Sequence, residues 1–300
     1  MIRDTGATTC VEAALARSYT TSMQFRLIAT LFLLALGVAE ADAGERSGAK
    51  RDWFDVPLSE KAVDFGPSYP RPPDSSPGLQ RKAYERARNT LACYWFPTVM
   101  VKQYDTHQKG AEWVSFIRIA ANAHPACAKS HAPGEQVFDA GAGWSGYFFG
   151  VKEDFVFLSD DDGYNGGFGF AVYDSRTGKK VFEDVDCLTC MYVKKMYGKE
   201  PPAAPFDRMR IRKTTEGPVT LQYLRVEHAD CDLRADKASC WDRVRVKMDV
   251  KTTEAPVCFG YNNIPLGDAP SMVAHPVLVF LQSPPVVKSI DGPVLCWPPD

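Results

Sequence analysis

The stretch "FGFAVYDSRTGKKVFED", Phe168 to Asp184, decides the fold class. Phe168, Phe170 and Val172 alternate with smaller or polar neighbours, as a half-buried strand requires. Asp174 suits a turn whose backbone its carboxylate can bond, and Gly178 supplies the positive φ needed before reversal. The chain returns through Lys179 to Glu183, bringing Val181 and Phe182 with it. Strand, turn and strand follow directly.

The aromatic-rich "YD..TGK" turn resembles those of propeller blades, quinone-cofactor propellers included, and such an architecture repeats every 40–50 residues or so. No second "TGK" occurs in the 300 residues. The hairpin is therefore read as a single one, and no cofactor is expected.

Working outward, strands are predicted at Cys93–Tyr104, Glu112–Ile119, Gly146–Lys152, Phe155–Ser159 and Phe168–Asp174. Others are predicted at Lys179–Glu183, Met209–Lys213, Val219–Val226, Pro276–Gln282 and Val294–Trp297. Two or three short helices accompany them. One follows Ser76-Pro77, with Leu79, Ala83, Ala87 and Leu91 on one face. Another is capped by Asp186 and ends at Gly198, and a third is capped by Asp236 and carries Trp241, Val244 and Met248. Successive strands with few helices predict a mainly β protein, an antiparallel sheet, sandwich or partly open barrel.

The domain plan places a leader at residues 1–43, an extended arm at 44–75 and a single β-rich domain at 76–300. "KEPPAAP", Lys199 to Pro205, is either a stiff loop or a divide between two lobes. From Met23 the leader carries Arg26, an apolar run from Leu27 to Val38, and small residues that allow cleavage after Ala41 or Ala43. This is the layout of a secretory signal peptide. As a helix the apolar run would rise only about 18 Å, short of the ~30 Å hydrocarbon core. A periplasmic or secreted protein with no stable membrane span after cleavage is expected.

Charge excludes other classes. Thirty-five basic residues face thirty-seven acidic ones, with no basic block to neutralise phosphates, so nucleic acid is not the expected partner. Eight cysteines lie beyond the leader, and an even count in an exported chain favours a disulfide framework among roughly a hundred connectivities. Cys231–Cys240 is expected from proximity. Cys93–Cys127 and Cys258–Cys296 are assigned by elimination, which leaves Cys187 with Cys190.

Several motifs invite chemistry. "CLTC" would make Cys187 and Cys190 a redox pair if it opened a helix, because the dipole there favours the thiolate. Structural bridging is the preferred reading, since no βαβ setting surrounds the pair. "HPACAKSH" spaces His124, Cys127 and His131 as metal ligands, with His107 or Glu135 available to complete the set, against the disulfide's own demand for Cys127. In "SDDDGYNGG" Asp160 and Asp162 fit the start of a calcium loop, but Tyr164, Asn165 and Ala171 break the pattern, so a solvated turn is preferred. "GAGWSGY" offers Ser145 as a nucleophile without the α/β alternation that the serine-hydrolase elbow needs. The aromatics of "CYWFP" (Cys93 to Pro97), with Trp113, Trp144, Tyr164 and Trp297, are assigned to packing over disulfides, with stacking on a sugar or peptide as the alternative. The leading functional reading is a binding or interaction module for a protein, peptide or glycan. The alternative is an exported redox-active or metal-assisted enzyme.

Overall fold

In the computed structural model the hairpin is formed by β8 (Gly167–Asp174) and β9 (Lys179–Cys187). Gly178 adopts φ 70° and donates to the Asp174 carbonyl at 2.8 Å, while the Asp174 carboxylate accepts from Arg176 N at 2.8 Å. The turn is thus held by the two residues whose chemistry demands it.

The structure describes residues 53–299 apart from 70–77, 79–81, 83, 85, 108–109, 140–145, 165–166, 188–208, 214, 261–264, 266 and 268–269. The leader, the Ser145 motif with Trp144, and Cys190 lie outside the described residues.

Two antiparallel sheets make up the fold. The first has the order β1 (Ser59–Pro67), β2 (Arg88–Trp95), β3 (Val99–Asp105), β4 (Trp113–Arg118) and β5 (Gln136–Asp139). The second begins with the meander β6 (Gly146–Lys152), β7 (Phe155–Tyr164), β8 and β9. It continues through β11 (Val219–His228), β12 (Met272–Leu281) and β13 (Val286–Ser289). β10 (Arg210–Lys213) pairs with β11, and β14 (Leu295–Trp297) pairs with β12. Strands before and after residues 199–205 therefore share one sheet.

The sheets stack through side chains that alternate inward. Val101, Val114 and Phe116 of the first meet Val151, Val156 and Leu158 of the second. Another core, on the second sheet, joins Phe157, Phe170 and Phe182 to Leu221, Val277 and Val279. Phe54 enters this core over Gly150, where any Cβ would overlap its ring. A third packs the helix α1 (Lys237–Lys247) through Cys240, Trp241 and Val244 against Val273 and Cys296.

The architecture is mainly β and antiparallel, as predicted. Several details differ. One continuous helix is seen among the described residues, α1, capped as expected by Asp236, whose side chain accepts from Ser239 N. In the predicted first helix, Gly78, Lys82, Tyr84 and Arg86 are helical. Asp186 lies within β9, paired with Phe168 and Arg225, and the remainder of the helix expected from it to Gly198 falls outside the described residues. The predicted strand Cys93–Tyr104 is two strands, because Pro97 lacks a ladder donor and a tight reversal closes with Phe96 N on Val99 O at 2.8 Å. Part of the arm forms β1, an edge strand paired to β2. Asp160 to Tyr164 continue β7, with Tyr164 paired to Gly167, so an extended ladder replaces the calcium-type loop.

Disulfides join Cys93 to Cys127, Cys231 to Cys240 and Cys258 to Cys296, with Cα separations of 5.9, 6.0 and 4.4 Å. Cys187 is also disulfide-bonded, to a partner outside the described residues.

Candidate functional site

On the outer face of the first sheet, strand alternation sets out a grid. Trp95, Met100 and Ile117 form one cross-strand row, and Cys93, Lys102 and Ser115 the next. The segment of residues 119–135 lies over this grid without regular structure, so its backbone carbonyls need donors from elsewhere. The sheet supplies them. Trp95 Nε1 donates to Pro125 O at 3.2 Å, and Lys102 Nζ donates to Ala128 O at 3.2 Å and Ser130 O at 2.8 Å. The Cys93–Cys127 bridge ties the segment at a further point.

Glu135 closes the arrangement. Its side chain is only 1% exposed and its Oε1 lies 2.8 Å from Lys102 Nζ, itself 5% exposed. The same oxygen accepts from Ser115 Oγ and faces His131 Nδ1 at 3.2 Å, while Oε2 accepts from Ala132 N at 2.8 Å. Burial pushes the Glu135 carboxyl up, but bonds from Lys102, Ser115, Ala132 and His131 outweigh it and hold the group below its ordinary value. The three ammonium protons of Lys102 have three acceptors, and both carboxylate oxygens are occupied. A buried pair persists only when satisfied in this way.

Between this segment and the sheet lies a cavity of about 430 Å³. Its walls are Met100 and Ile117 from the strands, Ile119, and the alanines of the segment, with Lys102 and Glu135 also lining it and Ser130 and His131 exposed beside them. The Ala-rich composition keeps the walls short of the sheet, and this leaves the space.

A second polar group crosses the other sheet. Arg225 reaches Asp184 through Nε at 2.7 Å, Tyr223 donates to the same carboxylate, and His275 Nε2 lies 3.3 Å from Glu227. Burial, aided by the neighbouring Asp184 charge, pushes Asp186 up to about 7 against the pull of its bond from Cys187 N.

The three residues spaced as metal ligands face separate partners. His124 stacks on Trp95 with centroids 5.3 Å apart, His131 turns to Trp113 and Glu135, and the Cys127 sulfur is spent on Cys93. Glu135 does fold in beside His131, but its partner is Lys102, not a metal. Among the described residues no cluster of three His, Cys, Asp or Glu side chains is arranged to hold a metal ion. Cys187 is the last residue of β9 and packs with Leu224, Val226 and Trp297, while Cys190 falls outside the described residues. Sequence reasoning missed Lys102 and Ser115, because polar residues in a strand ordinarily signal the solvent face.

No protein-family model, curated protein or solved structure matches this chain. Function rests on the site alone.

Proposed function

We propose that the protein is an exported, soluble binding module that holds its ligand in the cavity between residues 119–135 and the first sheet. One observation carries this reading: a cavity of about 430 Å³, within the usual 300–1,000 Å³ or so of ligand sites, framed by a segment tied down at both polar and covalent points. A framed cavity binds without first paying the entropy of ordering its walls. Export is supported by the leader from Met23 to Ala43 and by the oxidised state of the seven cysteines beyond it that the structure describes, since thiols in the cytosol are kept reduced. The absence among the described residues of a helix long and apolar enough to cross a membrane fits this placement. The metal alternative finds no support in the surroundings of His124 and His131, and the redox alternative turns on Cys190, outside the described residues.

The test has two arms. Native protein recovered from the producing cell should begin at Asp42 or Gly44 and take up no alkylating reagent before reduction; a retained leader or free thiols would refute export. Screening the folded protein against small molecules by methyl-detected NMR should give hits that shift Met100 and Ile117. Hits clustering elsewhere would move the site.

A further inference from the structure

The cavity selects by charge as well as by shape, and this deepens the binding reading on which it rests. Lys102 and Glu135 neutralise one another, all three ammonium protons of Lys102 are bonded, and the 1% exposed Glu135 carboxylate has a partner on each oxygen. Arg118 also borders the cavity, but it lies on the strand register that faces the other sheet, and its guanidinium reaches Asp154 there at 3.3 Å. The remaining lining is Met100, Ile117, Ile119, Pro125 and alanine methyl groups, with Ser130 and His131 at its exposed side. A charged ligand would give up part of its hydration and meet no buried unpaired opposite charge, a loss that contact with methyl groups does not offset. Polar atoms that are free to bond lie beside the cavity. His131 has its Nδ1 turned to Glu135, which leaves Nε2 unbonded among the described residues.

We infer that the ligand is a neutral, largely apolar small molecule, an aliphatic or aromatic body bearing at most one hydroxyl or carbonyl group, with that group held at His131.

Three probes sharing one chain length separate the possibilities: hexanol, hexanoate and hexylammonium, titrated into the full mature protein at neutral pH. Binding is read from the methyl resonances of Met100, Ile117 and Ala123. Hexanol is expected to shift these and to bind at least tenfold more tightly than either ion. Ala123→Leu, which fills the space, should abolish the shift. Ala126→Leu, at an exposed lining position, does the same should the first variant fail to fold. Equal or tighter binding of hexanoate or hexylammonium at the same methyls overturns the ligand class while leaving the cavity as the site. No shift with any of the three overturns the class and the binding reading together.

Discussion

Lys102 stands in the run "VMVKQYD", Val99 to Asp105, where every other outward residue is apolar, and it is buried. Its role follows from counting hydrogens: three N–H groups, three acceptors, one of them a carboxylate. Lys102→Met should leave Glu135 ionised, buried and short of its cation, at a cost of about 3–5 kcal/mol in urea denaturation. The double variant Lys102→Met, Glu135→Leu should regain a large part of that loss. A loss under about 1 kcal/mol in the single variant would mean that the pair is far more hydrated than its burial indicates. The sign with pH follows from the depressed Glu135 value. Its contribution is present above the ordinary glutamate range and disappears as pH falls through the lower folded value. Gly150 makes a separate demand. A methyl group there meets the Phe54 ring, so Gly150→Ala should lower stability by about 1–3 kcal/mol through overpacking.

Among elements, the junction between β9 and β11 is distinctive. Most neighbouring strands share four or more register pairs, whereas β9 and β11 share, among the described residues, the single pair Asp186↔Arg225. Side chains take over there. Asp184 of β9 bonds Tyr223 and Arg225 of β11, Arg225 also reaches Glu227, and Glu227 faces His275 of β12, while Asp186 sits opposite Arg225 in register and β8 presents Phe168 and Phe170. Because folding raises the Asp186 value from about 4 to about 7, the folded state holds a proton that the unfolded chain has released. That stabilisation is whole below about pH 4 and drains away as pH rises toward 7. Asp186→Asn keeps the shape without the charge. Relative to the unaltered protein, its urea midpoint should therefore improve steadily between pH 4 and 8. A constant difference across that range would show that Asp186 titrates normally. The bridge Cys93–Cys127 is an element-level tie of another kind. Cys93→Ala with Cys127→Ala should cost about 2–4 kcal/mol and weaken hexanol binding, since the roof of the cavity is then held by hydrogen bonds alone.

For the whole molecule, the amino-acid order alone showed the mainly β class, the hairpin at Phe168–Asp184, most strands and the helix capped by Asp236. These are local matters: alternation, turn chemistry and capping act over a few residues and leave their mark in them. β1 escaped notice because an edge strand buries little and shows weak alternation. The cavity and its Lys102–Glu135 support escaped for a different reason. Thirty-three positions separate the pair, and what makes Lys102 a buried anchor is the carbonyls of a segment folded over it, which no neighbour in the chain announces. The His124–Cys127–His131 spacing misleads in the converse way, because it brings residues near one another without aiming them. What folding in three dimensions added was direction: which face each side chain takes, and which charges, once out of water, have been forced to find each other.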